Sequence, residues 1–309
     1  MSSFPGDDRK VEVSVWGRTD VGQVRSENQD AFIVAELRGS SENDGFLLGP
    51  DSPELAEGGE ARVSLGTKGL LLLVADGMGG AAGGAVASRL AASVITETLE
   101  AAWGRERVQT PARFAQHLHE AVEEANRRVH ERASQRPELA GMGTTATVAG
   151  ILDGVVYLAQ VGDSRAYLIR EGEMVQITRD QSMVQELVEQ GAMTREEAEK
   201  SVHRSVLLQA LGTEPHVDVA LTYHQLRRGD ELVLCSDGLT GPVDDAEIVR
   251  TVGDASTPAA ACDELVALAN ERGGPDNISV VVARIHGTGV APTGPGDDLK
   301  RRTFELDAP

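Results

Sequence analysis

Gly69-Leu-Leu-Leu-Leu-Val-Ala75-Asp76-Gly77-Met78-Gly79-Gly80 is the stretch on which the fold turns. An aliphatic run ended by an acid and then by glycines reads as a buried strand that leaves the core at its end. The run is far too short to span a bilayer, and Asp76 cuts it. The segment from Ala85 to Ile95 is nearly apolar all round and reads as a buried helix.

Outward from this unit, further strand patterns occur at Val11 to Trp16, Ala31 to Glu36, Thr144 to Ile151, Val155 to Val161, Arg165 to Arg170 and Met174 to Thr178. Val217 to Tyr223, Glu231 to Cys235 and Ile278 to Ile285 complete the set. Asp153-Gly154 and Glu171-Gly172 lie between adjacent runs as two-residue turn signals, which favours antiparallel sheet. Helix starts are marked by Thr110-Pro111 and Thr257-Pro258, and by capping-box spacing at Thr194 to Glu197 and Asp244 to Glu247. Strands in clusters with helices between them predict layered α+β architecture.

The chain has 309 residues, for which length alone suggests about two domains. Its 29 basic and 49 acidic residues give a net charge of −20, and aromatics are only 3%. Phosphodiester backbones repel such a surface and few rings are present to stack on bases, so nucleic-acid binding is not expected. No apolar leader opens the sequence, and a cytoplasmic location without membrane attachment is expected. The two cysteines, Cys235 and Cys262, sit in apolar segments and read as core. Residues 37–68, rich in Gly, Ser, Glu and Pro, read as a disordered or mobile insertion, and residues 287–309 as a flexible, solvated tail.

Four aspartates stand at the ends of apolar strands beside small residues: Asp76, Asp163 in Val161-Gly-Asp-Ser-Arg165, Asp237 in Cys235-Ser-Asp-Gly238 and Asp276 in Gly274-Pro-Asp-Asn277. Asp30 opens another strand. One Asp-Gly is ordinarily a turn, but four such corners predict a shared oxygen-rich pocket, because a carboxylate leaving a buried strand needs a partner or a cation. Oxygen ligands without clustered His or Cys suit Mg²⁺ or Mn²⁺. Glycine beside a ligand is expected to let backbone approach the ion.

Thr19-Asp-Val-Gly-Gln-Val-Arg25-Ser-Glu-Asn-Gln-Asp30, Val74-Ala-Asp-Gly-Met-Gly-Gly80, Gly141-Met-Gly-Thr-Thr-Ala146 and the Asp163, Asp237 and Asp276 motifs occur in the order found in bacterial metal-dependent type 2C (PPM family) serine/threonine protein phosphatases, which this chain resembles from about Val11 to Ile285. The resemblance implies a four-layer α-β-β-α sandwich, two antiparallel sheets flanked by helices, in one catalytic domain over 11–286 after an extension over 1–10. It implies a centre of two Mn²⁺ or Mg²⁺ ions, with Asp76, Asp237, Asp276 and the Gly77 carbonyl as ligands and Asp30 holding metal-bound water. A metal-bridging hydroxide then attacks phosphorus directly, and Arg25 grips the phosphate with its forked guanidinium. Asp163 and Glu138 are candidates for a third ion. The segment 180–211 resembles the mobile flap beside the bacterial active site, with two short helices meeting at Gly191. Phosphorylated proteins, and serine/threonine kinases or their substrates, are the implied partners of a monomer.

The pattern also departs from its relatives. Gln29 replaces a glutamate, Met78 replaces the general-acid histidine of eukaryotic members, and Ala81 and Ala85 replace a histidine and a glutamate. Gly241 stands where a third-ion aspartate is common, so that ion is less well provided for than the first two. His203 on the flap reads as a solvated surface residue, with proton donation as its alternative. Among rivals, Gly77-Met-Gly79-Gly-Ala-Ala82 fits a dinucleotide-binding G-x-G-x-x-A, but Asp76 before it would repel a pyrophosphate. Neither cysteine begins the Cys-x₅-Arg of a cysteine phosphatase. A phosphoprotein-binding pseudophosphatase remains as the alternative, although it would have lost a metal ligand, and Asp30, Asp76, Asp237 and Asp276 are all present.

Overall fold

Successive side chains of a strand point to opposite faces, and in the Leu70–Met78 strand both faces meet apolar neighbours. Leu70, Leu72 and Val74 join one hydrophobic cluster, while Leu71, Leu73 and Ala75 join a second. A strand packed on both sides needs no polar face, which is why this antiparallel strand is continuously apolar. The computed structural model describes residues 10–37, 47–50, 52, 61–65, 69–294, 297–300 and 302–306.

The described elements run β1 (Val11–Asp20), β2 (Asp30–Glu36), β3 (Leu47–Leu48), β4 (Ala61–Leu65), β5 (Leu70–Met78), α1 (Gly80–Arg105), α2 (Pro111–Gln135), β6 (Gly143–Thr144), β7 (Ala146–Leu152), β8 (Val155–Val161), β9 (Arg165–Arg170) and β10 (Glu173–Gln176). They continue with α3 (Met183–Glu189), α4 (Arg195–Glu199), β11 (Ala220–Gln225), β12 (Glu231–Cys235), α5 (Asp237–Thr240), α6 (Asp245–Asp254), α7 (Pro258–Glu271), β13 (Ile278–His286) and β14 (Arg302–Thr303). Two sheets result, one in the order β10-β9-β12-β13-β1-β4 and one in the order β14-β11-β8-β7-β5-β2-β3, with β6 paired to β5. Every pairing between these strands is antiparallel. Helices α6 and α7 share the first cluster with the six-stranded sheet, and α1 and α2 share the second with the larger one. The architecture is the α-β-β-α sandwich.

Caps and turns form where residue chemistry directs them. Thr110, Thr257, Thr194 and Asp244 cap their helices through side-chain oxygens, the last two in full capping boxes. At Asp153-Gly154 and Glu171-Gly172 both residues have positive φ (48° and 74°, 53° and 82°), the left-handed pair that a tight hairpin requires.

The segment 37–68 is not wholly irregular. Leu37 is buried, β3 pairs with β2, and β4 extends the smaller sheet beside β1. The rest of that segment, like residues 1–9, lies largely outside the described residues. The tail also differs from a solvated extension. Arg227 pairs with Asp297, β14 pairs with β11, and the Phe304 ring meets Tyr157 and Tyr223 edge-on at 6.0 and 5.8 Å. Side-chain contacts and borrowed ladder bonds hold the described parts of both segments despite their unpatterned composition.

Glu171 is the less suited residue of its turn, since a Cβ-bearing side chain without local hydrogen bonding is strained at positive φ. Glu171→Asn should therefore raise stability by about 0.5 to 1 kcal/mol, read as a higher urea midpoint at unchanged slope.

Candidate metal centre

The site lies where β2, β5, β12 and β13 release their ends. Asp30, the first residue of β2, stands directly opposite Asp76 in the β2–β5 register. Asp76 is fixed by its backbone. Its N–H donates to Thr145 Oγ1 (2.9 Å), and its carbonyl accepts from the Thr145 N–H and the Thr144 hydroxyl, both at 2.9 Å. Ser236, preceding Asp237, donates its hydroxyl to Asp30 Oδ2 at 2.7 Å and accepts from the Ser279 N–H at 2.9 Å. Asn277, following Asp276, accepts the Gln29 N–H at 2.8 Å and donates to the carbonyls of Val21 and Glu27 at 2.9 and 3.0 Å. One amide thus holds the whole loop that carries Arg25.

A cavity of about 420 Å³ opens here, lined by Arg25, Asp76, Gly77, Asp163, Asp237 and Asp276 among others. Asp30 lies behind this lining, only 2% exposed. Glu138 is not brought to the site: it is exposed on the short turn Pro137–Leu139 and does not line the cavity. His203 is exposed as well. Arg25 donates from Nη2 to Asp276 Oδ2 at 2.7 Å. The Gln29 amide donates to the Gly80 carbonyl at 2.9 Å and so ties its loop to the start of α1.

Glycines 77 and 238 have a stronger reason than approach to an ion. A Cβ on Gly77 would stand 2.2 Å from the Gly84 carbonyl oxygen and 2.5 Å from that of Gln29, and a Cβ on Gly238 would stand 1.9 Å from the Asn277 carbonyl oxygen. Backbone crosses directly over both positions, so the acids beside them are held by tightly stacked main chain.

Burial dominates the electrostatics. It pushes the Asp30 carboxyl up to about 7, against lowering hydrogen bonds from Ser236 and Ser279 and with added repulsion from Asp237 and Asp276. Burial, then the charges of Asp30, Asp237, Asp163 and Asp276, holds Asp76 well above the usual carboxylate range. Asp163 is raised to about 7 by burial and by Asp237 and Asp180, with Arg165 opposing. Asp237 is raised by burial and Asp276, while a hydrogen bond with Asp76 and the charges of Arg165 and Arg204 oppose.

Among the described residues no three carboxylate, imidazole or thiol groups stand as a ready-made cage. The donor set nevertheless fits a hard cation. Asp30 Oδ1 and Asp237 Oδ1 are buried without a hydrogen-bond partner, a state that costs free energy and that a divalent ion would relieve. Four residues of the site have roles that the sequence did not single out. Ser236 and Asn277 stand inside the aspartate motifs, and Ser205 and Leu207, which line the cavity, fall in the 180–211 segment that the resemblance sets beside the active site.

Residues 61–270 match the family described as Protein phosphatase 2C, and the chain belongs to that family. It is 39% identical over 215 residues to the serine/threonine protein phosphatase PstP of Mycobacterium tuberculosis, covering 70% of this chain but only 40% of that protein. Identity to the serine/threonine phosphatase Stp of Listeria innocua is 33% over 266 residues, 86% of this chain and 93% of that one. Among solved structures, the M. tuberculosis PstP phosphatase superposes with a TM-score of 0.71 at 33% identity, covering 89% of this chain and 99% of that one. The PstP catalytic domain in complex with two manganese ions gives 0.68 at 32% identity, with coverage of 89% and 99%.

Raised carboxyl values bear directly on stability. The metal-free native state holds protons that the unfolded chain, near 3.8, has released, so this contribution is complete below about pH 4 and is lost as pH climbs through about 7. Metal-free protein should melt at a lower temperature at pH 8 than at pH 5.5. Added Mn²⁺ should raise the midpoint more at pH 8, where no proton must be displaced. Calorimetry with and without EDTA reads both effects.

Proposed function

We propose that this chain is a metal-dependent protein phosphatase that hydrolyses phosphoserine and phosphothreonine, with two Mn²⁺ or Mg²⁺ ions as cofactor. The observation that carries the reading is the pair of buried carboxylate oxygens on Asp30 and Asp237 that lack a proton donor, beside a cavity that Arg25 lines. The serine/threonine phosphatase names of the relatives and the manganese in the PstP catalytic domain support it. In this reading Asp76, Asp237 and Asp276, with the Gly77 carbonyl, hold the ions, and Asp30 orients water beside them. Bound divalent ions supply activation of water at neutral pH and Lewis-acid stabilisation of charge on the phosphoryl group. Asp163 is the acid left for a further ion.

Arg25 binds and orients the substrate phosphate. Its bond to Asp276 holds the side chain at the pocket with one donor, and the rest of its planar fork can take two phosphate oxygens. Thr144 and Thr145 lock the Asp76 backbone, and Ser236 keeps Asp30 from turning away, so the acids need not reorganise when charge develops. A catalytically silent phosphoprotein-binding role finds no support, since Asp76, Asp237 and Asp276 line one cavity with Asp30 directly opposite Asp76. The further reading is of a monomer that opposes serine/threonine kinases in the cytoplasm. Among the described residues no helix is long and apolar enough to cross a membrane.

Hydrolysis of an aryl phosphate and a phosphothreonine peptide should require Mn²⁺ or Mg²⁺ and cease with EDTA. Asp76→Asn and Asp237→Asn should each lower kcat by about a hundredfold or more and remove the Mn²⁺-dependent gain in melting temperature. Turnover that survives EDTA or both substitutions overturns the reading. For Arg25→Lys, which keeps the charge and loses the fork, kcat/KM for the peptide should fall about tenfold or more.

A further inference from the structure

One wall of the cavity belongs to the 180–211 segment, and a single residue ties that wall to the loop carrying Asp163. Gln181 uses all four of its polar groups. Its Oε1 accepts from the Gly162 N–H at 2.8 Å, and its Nε2 donates to the Asp218 carbonyl at 2.9 Å. Its backbone N–H donates to the Gly162 carbonyl at 2.9 Å, and its own carbonyl accepts from the Leu208 N–H at 2.8 Å. Gly162 immediately precedes Asp163, and Leu208 immediately follows Leu207. Asp163, Ser205 and Leu207 all line the cavity.

Neighbouring contacts extend the clip. Ser182 pairs with Leu207 as an isolated antiparallel bridge, and the Met183 N–H donates to the Val206 carbonyl at 2.9 Å. Just before it, Arg165 grips Asp180 through Nε and Nη2 at 2.9 and 2.7 Å, and Gln176 donates to the same carboxylate at 2.6 Å. That ion pair anchors the segment to β9. Gln181 then sets how far the returning strand stands from the acid loop. A backbone pair would persist without the side chain, but the Gly162 N–H would lose its acceptor and Asp218 its donor, both at the base of the wall.

We infer that Gln181 is a positioning residue for phosphoprotein substrates, holding the Ser205–Leu207 wall in register with Asp163. The inference rests on the phosphatase reading above. A small aryl phosphate fills only the phosphate end of the cavity, whereas a peptide carries main chain along the wall, so loosening the wall acts selectively on the larger substrate.

Gln181→Met keeps side-chain length without polar atoms, and Gln181→Glu keeps the acceptor for Gly162 while giving up the donor to Asp218. With Mn²⁺, Gln181→Met should raise KM for a phosphothreonine peptide about tenfold with kcat within about threefold, and leave KM for para-nitrophenyl phosphate within about twofold. Gln181→Glu should fall between it and the wild type. In metal-free protein, amide exchange over residues 203–208 should speed up about tenfold while that of β7 and β8 is unchanged. Unchanged peptide KM and exchange, or equal impairment on both substrates with a lowered melting temperature, overturns the inference. A wild-type chain without metal-dependent hydrolysis overturns the phosphatase reading and the substrate role together. Normal wild-type turnover with an indifferent Gln181→Met overturns this inference alone.

Discussion

Two carboxylates facing each other across a ladder are the constraint on which the rest of the structure depends. Like charges directly opposite in adjacent strands repel, and here the pair Asp30 and Asp76 is also removed from water. Asp237, Asp276 and Asp163 add to the repulsion instead of relieving it. A fold can carry such a concentration of charge only if the scaffold around it is overdetermined. Apolar residues packed on both faces of β5, and threonine and serine hydroxyls at each strand end, provide that scaffold. Stability invested in the core is drawn on at the edge, where the chemistry is.

The same logic explains why the corners contain glycine. Main chain from α1 and from the Gln29 loop passes over residue 77, and the Asn277 carbonyl, just before β13, passes over residue 238. Carboxylates brought together by crossing backbones inherit the rigidity of the sheets. Flexible loops could supply the same ligands but would have to order them at each binding event. Asn277 performs the equivalent task for Arg25, since a loop with three hydrogen bonds to one buried amide has little freedom to withdraw its cation.

Much of this was legible from residue order. Strands β8, β9 and β12 fall at the expected residues because Asp-Gly and Glu-Gly turns or the Ser236-Asp237 corner delimit them. The acids of the pocket were legible because a carboxylate at the end of an apolar run has few structural excuses. Strands β3, β4 and β14 were not, since edge strands of two to five residues are stabilised by the partner they borrow and carry little pattern of their own. Ser205 and Leu207 escaped for a similar reason: long-range backbone hydrogen bonds place them, and no local spacing encodes those. Glu138 marks the reverse error, in which a motif-level analogy named an acid that the Pro137–Leu139 turn leaves in solvent.

The short terminal strand β14 alters where this domain should be said to end. Its two residues and Phe304 cover part of β11, an outer strand whose backbone groups would otherwise be open to pairing with another chain. Phe304 also packs edge-on against the rings of Tyr157 and Tyr223. A protein cut after His286 would keep every acid of the pocket yet expose a sticky sheet margin. Self-association of such a fragment would then reflect the cut, because residues 302–304 take part in the packing of the larger sheet.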